Sequence, residues 1–385
     1  MSSGVVSTWS SKLAEPQPAS QVSEKSARAN FIIVVFGFNC LKNKSQHHNT
    51  CVSFSIIIPF RNEAENLPIL LNSISKLAYN PSLFEILLVD DDSTDESVEQ
   101  IEKFKLKNPF LAISIIKNSR HSNSPKKDAI STAIKSANYE WTICTDADCI
   151  LPEHWLKCYS DFINTHDPNM VVAPVSFESN NSFLHQFQLI DFLSMQGATI
   201  GGFGIQQPFM ANGANMGYKK DVFLTLNGFE NNNSIASGDD VFLLEDFMAY
   251  KKDKVLFLKN RKALVTTFPT STWKTLINQR KRWAAKATHF TNLFTKFVGI
   301  LVFLANSVAI LSLVLVIFNT NFILLFFLKI LIDTILIYKT ANLYQQKINS
   351  FGYFKTFLFH PFFTIYIAIS SMLSTFEWKD RAFKK

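Results

Sequence analysis

Neither Gly-x-Gly-x-x-Gly nor Gly-x-x-x-x-Gly-Lys-Ser/Thr occurs in the 385 residues. Nucleotide phosphates would therefore be handled by metal and side chains, not by a glycine loop at a helix N-terminus. Cysteine is also sparse. Cys40, Cys51, Cys144, Cys149 and Cys158 form no Cys-x-x-Cys and no metal-ligand spacing, and an odd count argues for free thiols in a reducing cytosol. The net charge of +7 is not laid out as a basic patch interleaved with aromatics, so no nucleic-acid partner is expected. Its excess lies around Arg280–Lys286 and in the tail Lys379–Lys385, beside apolar segments, as suits anionic headgroups. No internal repeat is evident.

The 47% hydrophobic content is unevenly spread. Phe297–Phe318 is a charge-free apolar run, about long enough to cross a bilayer. Phe322–Tyr338 and Phe357–Leu373 follow, and three such runs at one end favour a membrane region. Lys329 and Asp333, at i and i+4 in the middle run, are spaced to pair or to face a bundle interior. Pro361 makes the last run the best candidate for a non-spanning piece. At the other end, Met1–Asn30 has a disordered composition, and Phe31–Cys40 is about half the length of a spanning helix. His47-His48 reads as solvated.

Between these ends, strands alternate with helices. Val52–Pro59 is a β-branched strand followed by the loop Phe60–Asn66 and a helix Leu67–Leu77. Phe84–Val89 runs into Asp90-Asp91-Asp92, then helix Glu96–Lys107, strand Ala112–Lys117 and helix Asp128–Ala137. Trp141–Cys144 is a strand that ends on Asp146 and Asp148. Val171–Val175 is a strand, Phe183–Gln196 an amphipathic helix, Gly201–Gly204 a glycine-rich connection, and Thr272–Lys286 a helix. Such alternation predicts an α/β fold with a mostly parallel sheet covered on both faces.

The pair Asp146/Asp148 is the informative one. Side chains at i and i+2 of a strand point the same way, at the carboxyl end where open α/β sheets place ligands. Hard oxygens there suit Mg or Mn shared with substrate phosphates; a solvated turn with two acids is the plainer alternative. Asp239 and Asp240 open a further helix, where acids also serve simply as dipole partners. In one reading Asp91 recognises a nucleoside, Asp148 holds a metal on a diphosphate and Asp240 is a general base. In a second, Asp90-Asp91-Asp92-Ser93-Thr94 is the nucleophile motif of haloacid-dehalogenase-like phosphatases. That second reading leaves Asp146/Asp148, Gln279–Trp283 and the apolar runs unexplained.

Taken in order, the motifs resemble the membrane-bound branch of glycosyltransferase family 2, with its cellulose and poly-N-acetylglucosamine synthases. They are Ile56–Glu63, Val89–Asp95, Lys126 ahead of Ala129-Ile130, Thr145–Asp148, Gly213–Met216, Gly238-Asp239-Asp240 and Gln279-Arg280-Lys281-Arg282-Trp283. The resemblance implies a GT-A fold over 51–290, a poorly ordered 1–50, and transmembrane or interfacial helices over 291–385 with a basic tail. It also implies transfer with inversion from a nucleotide sugar, UDP-linked for preference, to a polysaccharide or lipid-linked acceptor.

By position, Pro59, Arg61 and Glu63 would border the nucleotide pocket and Asp91 would contact the base. Lys126 would sit near the diphosphate, Asp146 near the ribose or diphosphate, and Asp148 would hold Mg or Mn. Asp240 would be the base, and Gln279, Arg282 and Trp283 would line acceptor and diphosphate. Gln279 and Arg282 share a helical face (i, i+3); Trp283 offers a flat apolar surface to a sugar ring or anchors at a membrane interface. The family often has Glu-Asp where Asp239-Asp240 stands, and its N-terminal spanning helix is shortened here to Phe31–Leu41. The catalytic unit is expected to face the cytosol from the inner membrane. Three crossings would then leave Lys379, Arg381, Lys384 and Lys385 outside, against the positive-inside tendency. Single transfer to a lipid competes with polymer synthesis.

Overall fold

The computed structural model describes residues 34–41, 50–233, 235, 237–373, 376–378 and 381–383. The expectations for Met1–Asn30, for His47-His48 and for Lys379, Lys384 and Lys385 fall outside those residues.

The centre is β1 (Phe54–Phe60), whose run Ile56-Ile57-Ile58 is wholly buried. It pairs in parallel with β2 (Phe84–Asp90) on one side and β4 (Trp141–Cys144) on the other. β3 (Ala112–Lys117) continues the parallel set beyond β2. A strand covered on both faces tolerates β-branched residues without polar alternation, which is how these segments read. The crossovers between them are α2 (Leu67–Ile74), α3 (Ser97–Lys107) and α4 (Pro125–Ser136). α4 begins three residues before the expected Asp128 because Pro125 supplies a preset φ at the first helical turn.

Beyond β4 one strand runs against the others. β8 (Met216–Lys219) runs antiparallel to β4 and to β6 (Met170–Val172), and β9 (Val255–Phe257) is parallel to β6. The sheet order is β3-β2-β1-β4-β8-β6-β9. The segment expected as one strand, Val171–Val175, is split: β6 stops before Pro174 and β7 (Val175–Phe177) joins a second sheet, β5-β10-β7. There β10 (Val265–Thr267) pairs antiparallel with β5 (Cys149–Ile150), through Thr267 opposite Cys149. That pairing fastens the Asp146–Asp148 turn to the strand that leads into α9 (Trp273–Ala285).

α5 (Trp155–His166) closes one face, with Trp155 Nε1 and Tyr159 Oη donating to Asn215 Oδ1 at 2.9 Å each. α6 (Phe183–Gly204) runs eight residues past the expected end at Gln196. Its glycines serve packing. A Cβ at Gly201 or Gly204 would collide with the backbone of Val34 or Gly37 in α1 (residues 34–40), and one at Gly197 with Thr340 and Leu336. Backbones thus approach closely where a side chain would hold them apart. Residues 34–40 therefore dock on the α/β unit, with Val34 and Phe38 in its core and Lys259 Nζ donating to the carbonyls of Phe38 and Leu41.

α7 (Lys220–Thr225) and α8 (Asp239–Lys251) follow β8. Then come α10 (Leu293–Leu315), α11 (Ile323–Tyr344) and α12 (Ser350–Leu373), followed by β11 (Phe376–Trp378) and β12 (Arg381–Phe383), which pair antiparallel. All three helices are long and apolar enough to cross a membrane. Leu304, Leu311, Leu324, Leu331 and Phe354 point outward from them. α12 is the most enclosed, 33% of its apolar window being buried against 17% for the others, because α6 and α9 both pack on it.

Candidate active site

Parallel strands deliver their carboxyl ends to one edge, and the loops there carry most of the charge. After β1, Arg61 Nη1 donates to the carbonyls of Asp91 (2.6 Å) and Asp92 (2.8 Å). Asn62 takes a left-handed φ of 51°; its N–H donates to Ser93 Oγ and its Oδ1 accepts from Thr94 N at 2.8 Å. The loops after β1 and β2 are thereby stitched together. Pro59, in register with Val89, is the penultimate residue of β1 beneath them.

Asp91 is buried, and its Oδ1 accepts from Asn118 Nδ2 (2.8 Å) and Arg120 Nε (2.6 Å). Asn118 and Arg120 follow β3, and no motif had drawn attention to them. The signal available was positional: they stand where Arg61, Asp91 and Asp146 stand, just past the carboxyl end of a parallel strand.

The second group lies after β4. Lys126, in the first turn of α4, bridges Asp146 Oδ1 (2.7 Å) and Asp239 Oδ2 (3.0 Å). Burial works against its charge, but the two carboxylates outweigh it and hold the ammonium well above the ordinary lysine range. Burial likewise works to raise the Asp239 carboxyl, yet Lys126 and then Lys286 bring it below the usual range. Gly213 lines this contact: a Cβ there would sit 2.8 Å from Asp239 Oδ2. Asp240, next on α8, accepts from Lys286 Nζ at 3.0 Å and from Val241 N at 2.8 Å. Gly238 before them has φ of 90°, a conformation that glycine alone adopts freely.

Arg282 faces the same acids. Burial pulls its guanidinium down, while Asp239, Asp146 and Asp240 pull it up. Asp148 is pushed up to about 6, by burial and then by the like charges of Asp146 and Glu63. An anionic group crowded by two others is the environment that a divalent cation relieves, and the donors are hard oxygens. Among the described residues no three His, Cys, Asp or Glu side chains converge on one point closely enough to hold an ion alone.

Gln279 and Trp283 are placed differently. Gln279 Oε1 accepts from Arg280 Nη1 at 2.5 Å, and the Arg280 guanidinium lies 4.3 Å from the Trp283 ring centre. Arg280 itself is buried, with Nε donating to Asp191 Oδ2 at 2.8 Å. Lys127, also outside any expectation, is buried beneath the 229–238 loop; its Nζ donates to the carbonyls of Asn232 (2.7 Å) and Ile235 (3.0 Å). Burial pushes its ammonium down to about 8.

The arrangement thus brings Lys126, Asp146 and Asp239 together, with the charge of Arg282 felt by Asp239, Asp146 and Asp240 and that of Asp146 by Asp148. Glu63, two residues past Arg61, adds its negative charge to the surroundings of Asp148. Such an edge can hold a phosphorylated ligand by its charge, align a hydroxyl and accept a proton.

Two family models match this sequence: "Glycosyl transferase family 2" over residues 55–226 and "Glycosyl transferase family group 2" over residues 141–371. Among curated relatives, a poly-β-1,6-N-acetyl-D-glucosamine synthase of Staphylococcus epidermidis is 27% identical over 43% of this chain and 39% of its own length. The poly(ribitol-phosphate) β-N-acetylglucosaminyltransferase TarS of Staphylococcus aureus is 30% identical over 31% of this chain and 20% of its own. The chain spans well under two thirds of either relative. Among solved structures, the mannosyltransferase PcManGT from Pyrobaculum calidifontis, in complex with GDP-Man and Mn2+, superposes with a TM-score of 0.55. It is 15% identical, over 92% of this chain and 99% of that one, a likeness of fold.

Proposed function

This chain belongs to glycosyl transferase family group 2, and from that premise we propose that it is a membrane-bound, metal-dependent, inverting glycosyltransferase. It moves a sugar from a nucleotide sugar, UDP-linked N-acetylglucosamine being the first to test, to a polysaccharide or lipid-linked acceptor. The catalytic unit is 51–290 together with the docked α1, and 291–385 holds it at the inner membrane, facing the cytosol. One observation carries this reading: Lys126 bridges Asp146 and Asp239 at the carboxyl edge of the sheet. The haloacid-dehalogenase-like alternative leaves Asp146 and Arg282 without a task.

In this reading Asp91, steadied by Arg120 and Asn118, receives the base, and Pro59, Arg61 and Glu63 border the nucleotide. Asp148, with Asp146 beside it, holds Mg or Mn, whose charge offsets that of the diphosphate. Lys126 and Arg282 face the departing diphosphate and stabilise its growing negative charge in a water-poor setting. Asp240 takes the proton of the acceptor hydroxyl as that oxygen attacks the anomeric carbon. Asp239, locked to Lys126, orients that lysine and is too well stabilised as a carboxylate to be the better base. Gln279 and Trp283 border the acceptor.

The test uses purified full-length protein in detergent with Mn and a panel of nucleotide sugars. Release of nucleotide that EDTA abolishes is the expected result; no turnover of any donor overturns the reading. Asp240→Asn should lower transfer by at least about 100-fold with UDP affinity within about twofold, read by calorimetry. Retained turnover removes Asp240 from the role of base. A product ladder identifies polymer synthesis, and one added sugar identifies single transfer.

A further inference from the structure

The contact least explained by ligand binding lies behind the site. Asp191, midway along α6, is buried and holds two partners at once. Its Oδ2 accepts from Arg280 Nε at 2.8 Å and its Oδ1 is 3.0 Å from His360 Nε2. Arg280 belongs to α9 and His360 to α12, so one carboxylate joins three elements. Around it Phe187, Leu276, Phe363 and Ile367 form an apolar cluster from the same three helices.

Apolar packing alone leaves a helix free to rotate by small steps, since dispersion and burial are non-directional. A guanidinium fork is directional. Arg280 also donates to Gln279 Oε1 and stacks on Trp283, while its own Nη2 is buried with no hydrogen-bond partner. An orphaned buried donor costs free energy, and a buried ion pair is weak ground for stability. The arrangement is better explained by orientation. Residues two apart on a helix lie about 200° around its axis, so fixing Arg280 toward α6 and α12 turns Arg282 toward Asp239 and Asp146.

We propose that Asp191 is a positioning residue for transfer: through Arg280 it sets the rotation of α9 that aims Arg282 at the acids, and through His360 it ties that rotation to α12. This rests on the proposal that Arg282 serves the departing diphosphate.

The experiment compares full-length wild type with Asp191→Asn, Arg280→Lys and the double variant in detergent, counting only monodisperse protein. Asp191→Asn should lower kcat between about 10- and 100-fold with the donor KM within about twofold. Arg280→Lys should do the same, and the double variant should be no slower than the slower single, because both act through one contact. A merely structural role would lower yield or melting temperature and leave kcat per folded molecule at the wild-type value; that result overturns the proposal, as does additivity of the two singles. If Asp191→Asn gives no monodisperse protein, Asp191→Glu and Arg280→Lys are read against the same criteria. A wild type that turns over no donor would instead bring down the transferase reading, and this proposal with it.

Discussion

At the scale of single residues, the acids were legible, and so were Arg61, Lys126 and Arg282, but Arg120 and Lys286 were not. Asp91, Asp146 and Asp148 announce themselves because each follows a strand of the parallel set, and carboxyl ends gather at one edge. Arg120 lies in a polar loop with no pattern of its own, yet it makes the 2.6 Å contact that holds Asp91. Replacing Arg120 by Ala leaves a buried carboxylate with one fewer donor. Loss of a charge-assisted hydrogen bond is worth about 1.5 kcal/mol or more, so UDP affinity should fall about tenfold. Titration calorimetry on the variant checks this, and unchanged affinity would detach Asp91 from nucleotide binding. Lys126 was expected near a diphosphate; its partnership with Asp239 depends on how α8 meets α4.

At the scale of elements, the periodicities found β1 to β4, β6 and most of the long helices, while α5, α7, β8, β9 and β10 went unassigned because they are short or lack a clear period. Pro174 divides one expected strand between two sheets. The glycines at the end of α6 read as a connection, but they are where α1 packs backbone to backbone, a contact that no local pattern encodes. Asp191 sits on the same helix and pairs with a residue 89 positions away. Burial works to raise its carboxyl, but Arg280 and His360 outweigh burial and hold it at about 2. A depressed carboxylate stabilises the fold above its unfolded value, near pH 4, and that contribution is lost as pH falls toward 2. It amounts to about 2 kcal/mol. Wild type should therefore melt above Asp191→Asn at pH 6, and the gap should close between pH 4 and 2 in thermal scans of detergent-solubilised protein. A gap that stays constant would detach the ion pair from stability.

At the scale of the whole molecule, an α/β unit is joined to three apolar helices through α6, α9 and α12. The apolar runs alone identified the three helices that could cross a membrane, and the i, i+4 spacing of Lys329 and Asp333 already offered their pairing. They pair at 2.6 Å, largely enclosed, with Lys329 Nζ 5.8 Å from the Phe357 ring centre. Lys329→Leu alone strands a carboxylate within the bundle, at about 3 kcal/mol or more. The single variant should yield less monodisperse protein by size-exclusion chromatography, and Lys329→Leu with Asp333→Leu should recover it. Equal yields from all three proteins would assign the pair no structural part.

The sequence by itself determined the alternation of strands and helices, the edge at which Asp91, Asp146 and Asp148 emerge, and the three apolar helices. Those features follow from local periodicity and from the strand-end rule, which need only neighbouring residues. The tertiary structure decided which charges meet: Arg120 with Asp91, Lys126 with Asp146 and Asp239, and Asp191 with Arg280 and His360. Each meeting depends on sheet order and on helix rotation, quantities set by packing between segments far apart in the chain.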